Sequence, residues 1–362
     1  MKILLVSGSA PPMACGVGDY TYKLAQELAK NHDVKILTSK GAHDLRMPNL
    51  EVLPLIDTWR LRKLPIFKKI LAEFKPDVVH IQYPCQGYSG GLLHFLIPLV
   101  SFALGYKVIQ TWHEFLHPIN IKFFPIYGWV PGGLVTVRPN YIKASPLIVK
   151  LLSLTKRHVT IPNTSLIPSS KLSHGEANAL RDTLIKGQKR LIICFGFITP
   201  AKGTHRAFEL ADPIRDHLLI VGQFGPDEEY NSLVRKLAMQ SNWSNQVTFT
   251  GYCTVDEAAN YFKVSDAAIY PIESGAGSWN TSLHAAIVNG CPFVATATSS
   301  LEKSEHGTYV KNNEWSEFKK ELEFILSHSP YDTRAFNNQQ NDEWERIKMQ
   351  HEKLYKNLTS AE

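Results

Sequence analysis

Short runs of Val, Ile and Leu recur along this chain. After each comes a longer stretch in which apolar residues return every three or four positions. The runs at 2–7, 34–38, 78–81, 107–111 and 158–161 form one series, and those at 191–195, 218–221, 247–250, 267–270 and 292–295 a second. A run that is apolar throughout, rather than at alternate positions, suits a parallel strand covered on both faces. Helices are expected between the runs, among them 20–30, 228–240 and 256–263. The last is opened by Thr254 with Glu257 three residues on, the spacing of a capping box. Strand and helix alternating twice over predict an α/β protein of two doubly wound, Rossmann-like domains.

The join is expected where Pro, Asn, Ser and Thr cluster without periodicity, over 162–173. That divides the chain into domains at 1–165 and 166–335, followed by a terminal segment, 336–362. In that segment Trp344, Ile347, His351 and Tyr355 share a stripe at helical spacing.

Composition adds limits rather than identity. With 362 residues, 44% hydrophobic and 20% charged, each half can bury a core of its own. The net charge of +6 is too mild for a nucleic-acid binder, so no nucleic-acid partner is expected. Five scattered cysteines without a CxxC pair indicate neither a disulfide framework nor a zinc ribbon, and suit a reducing cytoplasm. The apolar start at 2–6 is too short for a signal peptide. The stretch at 90–106, interrupted by His94 and Pro98, falls short of the roughly 20 residues of a spanning helix. Residues 60–75 interleave Arg60, Arg62, Lys63, Lys68, Lys69 and Lys75 with apolar positions. Such a helix either rests on an anionic membrane or simply presents a solvated face.

Three strand-to-helix loops could carry chemistry. The first holds Gly16-Val17-Gly18 before a helix, where backbone can approach a ligand closely. It lacks the third glycine of a dinucleotide fingerprint, which argues against NAD. The second, from Gly196 to Gly203, carries Lys202, a point charge suited to a diphosphate and equally to solvent. The third runs through Glu273, Ser274, Gly275, Ala276, Gly277 and Ser278 into a helix bearing His284. Its backbone N–H groups are expected to form an anion nest at the carboxyl end of a parallel sheet.

Taken with Pro11-Pro12, the stretch from Cys15 to Tyr20, Asp77-Val78-Val79-His80-Ile81-Gln82-Tyr83 and Thr111-Trp112-His113-Glu114-Phe115, these loops resemble the GT-B glycosyltransferases of the large family-4 type. The tail from Trp344 to Tyr355 fits as well. The resemblance implies two domains facing across a cleft, with the donor on the C-terminal one, the acceptor on the N-terminal one, and the last helix crossing back. It implies a nucleotide-sugar donor, bound by Gly16, Gly18, Lys202, Gly275, Ala276, Gly277, Ser278 and His284, with His113 and Glu273 catalytic. The acceptor would be a glycan or lipid-linked, in cell-surface polysaccharide synthesis, with anomeric configuration retained. The setting would be cytoplasmic, with peripheral contact at the inner membrane face. No cofactor is expected. No metal is expected either, because the sequence has no Asp-x-Asp to hold a hard cation. Phe197 stands where the family has Arg, and Ala276 and His284 where it has Glu. A nucleotide-binding partner protein without transferase activity is the alternative.

Overall fold

The described residues form one sheet of eight strands and one of seven. The structure, a computed structural model, describes residues 1–13, 15–88, 91–114, 126–185, 187, 190–277, 279–298, 302–304, 307–328, 331 and 343–360. The chain divides into two units, one of residues 1–162 with 342–362 and one of residues 163–341.

In the first unit the strands are β1 Lys2–Val6, β2 Asp33–Ser39, β3 Arg46–Met47, β4 Leu50–Ile56, β5 Val78–Tyr83, β6 Lys107–Trp112, β7 Gly132–Thr136 and β8 Lys156–Thr160. All pair in parallel except β3 with β4. The helices α1 Gly16–Ala29, α2 Leu64–Phe74, α3 Leu93–Ala103 and α4 Leu147–Ser153 connect them. Side chains alternate across the sheet. Leu4, Val6, Val79, Ile81, Val108 and Trp112 therefore meet Phe67, Ile70, Phe95 and Val149 from α2, α3 and α4. The intervening positions of β5 and β6 point to the other face, which α1 and the C-terminal helix Glu343–Thr359 cover. Gly133 in β7 makes that fit possible, since a Cβ there would sit 3.2 Å from Leu354 and 3.1 Å from Leu358.

Helix α2 turns its apolar stripe, Phe67, Ile70, Leu71 and Phe74, into the core. Its cations stay outside, Lys69 beside Glu73. Among the described residues of this unit the most exposed leucines lie instead on and just after α4, with Leu147 at 69% and Leu154 at 79% exposure.

The second unit has β9 Arg190–Phe195, β10 Asp216–Val221, β11 Val247–Gly251, β12 Ala267–Tyr270, β13 Phe293–Ala297, β14 Glu302–Ser304 and β15 Gly307–Lys311. Only β14 runs antiparallel, against β15. Helices α5 His174–Ile185, α6 Glu228–Ala238, α7 Val255–Val264, α8 Thr281–Val288 and α9 Trp315–His328 cover both faces. Ile192, Leu218, Ile220 and Ile269 pack on α6 and α9, and Leu191, Ile193, Leu219 and Ala268 on α5, α7 and α8. Two helix starts follow from the sequence: Asp227 accepts from the Tyr230 N–H, and Thr254 with Glu257 completes the capping box. Arg181 of α5 fastens that helix to the sheet by donating to Asp266 and to the Val264 carbonyl, both at 2.7 Å.

Each sheet has one place where strand order reverses, between β1 and β5 in the first unit and between β9 and β12 in the second. Connections leave in opposite directions there and open a crevice at the carboxyl ends of the strands, where ligands of such sheets bind.

Candidate functional site

At the reversal in the first unit, the loops after β1 and β5 meet backbone to backbone. A Cβ on Gly87 would fall 1.8 Å from the Gly8 carbonyl oxygen, so only glycine lets the loops touch. Gly18 is equally constrained, because its Cβ would meet Ser9 at 2.9 Å. The first turn of α1 is thereby pressed onto the β1 loop. Gly16, in contrast, faces open space. Tyr20, two residues past Gly18, sets its ring edge-on to His113 at 4.9 Å, which joins the α1 start to the end of β6.

His113 is buried, and its Nε2 lies 2.8 Å from Oε1 of Gln82. An amide oxygen only accepts, so Nε2 carries the proton. The amide nitrogen of Gln82 donates to Nε2 of His80 at 3.2 Å, and the Thr111 hydroxyl reaches the same nitrogen at 2.7 Å. His80 must then carry its proton on Nδ1, which it donates to Tyr355 Oη of the C-terminal helix at 2.8 Å. Burial pushes the His113 pKa down to about 3, and the nearby His351 adds to the fall. His113 is a neutral imidazole with a fixed tautomer, able to accept at Nδ1 and unable to supply a cation.

In the second unit the reversal brings together the other two loops. Gly203 lies against the Pro271 carbonyl, where a Cβ would be 1.9 Å from the oxygen, and the Glu273 N–H donates to Ala201 at 3.1 Å. Gly196 has φ +130°, a conformation that suits glycine, and a Cβ there would be 4.0 Å from Cε of Lys202. Lys202 thus lies along the β9 loop, while Glu273 is exposed beside it. Phe197 is 48% exposed, and His284 sits half-buried on the first turn of α8.

The third loop differs from the expected nest. The N–H of Gly275 donates to Ile272, that of Ala276 to Thr296 and that of Gly277 to the Asn280 side chain. These groups hold the loop's own turn together and cannot also cradle an anion. Ser278 lies outside the described residues, as does Phe115. One step further on, α8 opens at Thr281 and Ser282, whose N–H groups are bonded to no described residue outside the helix. The N-terminus of a helix attracts negative charge. Among the described residues no group of three His, Cys, Asp or Glu stands close enough to hold a metal ion.

The expected residues therefore fall into two sets. Gly16, Gly18 and His113 belong to the first unit. Lys202, Glu273, Gly275, Ala276, Gly277 and His284 belong to the second. Gln82, Tyr20, Thr281 and Ser282 join them from the geometry. A signal for Gln82 was present in the sequence: a polar residue two positions after His80, in an otherwise apolar strand, shares its face.

The family model for glycosyltransferase family 4 matches residues 14–142, and the model for glycosyl transferases group 1 matches residues 176–342. The chain belongs to the GT-B glycosyltransferases. Solved structures of this fold match it over its whole length. Sucrose-phosphate synthase from Thermosynechococcus elongatus superposes with a TM-score of 0.76 at 17% identity, covering 100% of both chains. HepE from Anabaena, in complex with UDP and glucose, gives 0.73 at 14%, covering 99% of this glycosyltransferase and 100% of that chain. The catalytic domain of Arabidopsis thaliana starch synthase IV, bound to ADP and acarbose, gives 0.69 at 14%, covering 99% of each. No curated protein sequence matches this one. Among the described residues of this glycosyltransferase no helix is long and apolar enough to cross a membrane.

Proposed function

We propose that this glycosyltransferase takes a nucleotide-sugar donor on its second unit and passes the sugar to a glycan or lipid-linked acceptor held by the first, in the synthesis of a cell-surface polysaccharide. The observation that carries the reading is the N-terminus of α8, which opens at Thr281 and Ser282 at the same sheet reversal as Lys202. Dipole and ammonium together suit a diphosphate, and both would stabilise it as it leaves. HepE with UDP and starch synthase IV with ADP support a nucleotide at this fold.

Transfer with retention suits the site's chemistry. His113 is neutral, with Nε2 committed to Gln82, which leaves it to receive a hydroxyl of the sugar rather than to protonate or stabilise charge. The donor phosphate then takes the acceptor proton. Glu273, exposed beside the Lys202 loop, is the carboxylate we assign to the sugar. With Ala276 and His284 at the positions of the family's Glu pair, His284 on the first turn of α8 would meet the nucleoside. The charge on the leaving group is met by Lys202 and α8, so no divalent ion is needed. If the acceptor is lipid-linked, contact with an anionic membrane would fall on the exposed Leu147, Leu151 and Leu154 with Lys143, since the apolar face of α2 is buried.

A melting screen against UDP, GDP, ADP, CMP and NAD tests the reading. A ligand at 100 times its dissociation constant adds about 2.7 kcal/mol. One nucleoside diphosphate should raise the melting temperature, without added metal, and NAD should not. A chain stabilised by none of the nucleotides sinks the proposal.

A further inference from the structure

The reversal in the first unit carries two cysteines that the transfer reaction does not use. Cys15 immediately precedes α1, and Cys85 lies two residues past β5. Their sulfurs are 3.7 Å apart, on loops 70 residues distant in sequence. Neither loop can drift from the other. Gly8 and Gly87 are in backbone contact, Tyr88 Oη donates to the Val6 carbonyl at 3.0 Å, and Gly18 holds the α1 start on Ser9. The nearness of the thiols is thus built into the framework, and 3.7 Å is a short step from the roughly 2 Å of an S–S bond.

The two sulfurs differ in character. The contact with Cys85, with the N–H groups of Gly18 and Gln86, favours negative charge on Cys15, so its thiol is pushed down to about 5 against the opposing effect of burial. The same pairing pushes the Cys85 thiol up. A thiolate and a thiol in contact are the two components of a resolving pair. Each is only a few per cent exposed, at 5% and 7%, which favours a small oxidant over a larger thiol reagent.

We propose that Cys15 and Cys85 are a redox-active pair that a hydroperoxide converts reversibly to a disulfide. The Cys15 thiolate attacks one peroxide oxygen and the O–O bond breaks. This leaves Cys15 as a sulfenic acid and releases water from hydrogen peroxide, or an alcohol from an organic hydroperoxide, once a proton is taken up. The Cys85 sulfur then attacks the Cys15 sulfur, the S–O bond breaks and a second water leaves. Two thiols are oxidised by two electrons, the peroxide is reduced, and a dithiol reductant reverses the change. The bond would fix the first turn of α1 to the β5 loop.

The test is a peptide map of the full chain after graded hydrogen peroxide, quenching, and alkylation in denaturant so that burial does not block the reagent. The expected product is a cross-linked pair of peptides containing Cys15 and Cys85, with alkylation of both lost and then restored by reductant. Cys85→Ser should stop the reaction at sulfenic acid on Cys15, trapped by dimedone, which should label the unmodified chain far less. If that variant does not fold, the peptide map of the unmodified chain decides alone. Full alkylation of both cysteines at peroxide doses that oxidise Cys253 would overturn the proposal, as would Cys15 passing to sulfinic acid without any cross-link.

Discussion

Gln82 accepts the Nε2 proton of His113 at 2.8 Å, and so decides which nitrogen of that ring is left bare. Replacing Gln82 by Leu frees the ring to hold its proton on either nitrogen. We expect turnover to fall, and the fold to lose about 1–3 kcal/mol, the cost of leaving a buried polar partner unsatisfied. Nucleotide affinity should be unchanged, and Gln82→Asn should recover part of the loss. Equal loss of nucleotide affinity and turnover would give Gln82 a structural role only.

Lys202 lies over Gly196 at the second sheet reversal. Lys202→Ala should weaken nucleoside diphosphate binding by roughly 1.5–3 kcal/mol, the range for a charged hydrogen bond. Calorimetric titration of the folded variant checks this, and unchanged affinity removes Lys202 from the site.

Turnover should survive EDTA once donor and acceptor are matched. Hard cations need clustered oxygen ligands, and this sequence offers no Asp-x-Asp. Activity lost to chelator and restored by Mg²⁺ or Mn²⁺ would refute this.

Stability should fall in acid. Burial pushes His94 and His113 down to about 3 and His351 down to about 4, and holds His80 well below its usual value, while an unfolded histidine titrates near 6.5. Between about pH 6.5 and 4 the unfolded chain binds protons that the folded chain refuses, so unfolding free energy drops as pH falls. Above about pH 7 these groups are neutral in both states and contribute no slope. Asp19 works the other way, because burial and the Cys15 charge push it up to about 6. One carboxyl does not outweigh four histidines, and Glu27, held low by Lys23 and Lys30, adds to the acid loss. Urea midpoints from pH 8 to 4 measure the slope, and a flat profile contradicts the assignment.

Arg181→Ala should destabilise the second unit by roughly 3–5 kcal/mol, because it strips a buried carboxylate of its counter-charge. Asp266 would keep the Leu191 N–H, a neutral donor that does not replace the guanidinium. Chemical denaturation reads the loss directly.

Much of this architecture was legible in the residues, and the exceptions have causes. Ala267–Tyr270 reads as a strand because every position is apolar and every position is buried. Strand β4 hides behind Pro54, and β7 behind its opening Gly132-Gly133, two residues that weaken a strand taken alone. Gly307–Lys311 has little apolar character and exists by pairing with β13. In the candidate site, the loops could be read as loops, but not which N–H groups are free. That depends on Thr296 and Asn280, partners brought in by tertiary structure, which use up the donors of Ala276 and Gly277. The polar file from His113 to Tyr355 was hidden for a similar reason, since its members come from β5, β6 and a helix more than 200 residues away.

The C-terminal helix that covers His80 and fits over Gly133 also sets a timetable for synthesis. On the ribosome the first unit emerges first but stays open along one face until residues 343–359 have been made. The roughly 180 residues in between take roughly 10–40 s at the usual rate of translation. The second unit is continuous in sequence and can close during that wait. The later-made half is therefore positioned to reach its native state first, while the nascent first unit, its histidines and β7 uncovered, is the stretch most in need of a chaperone.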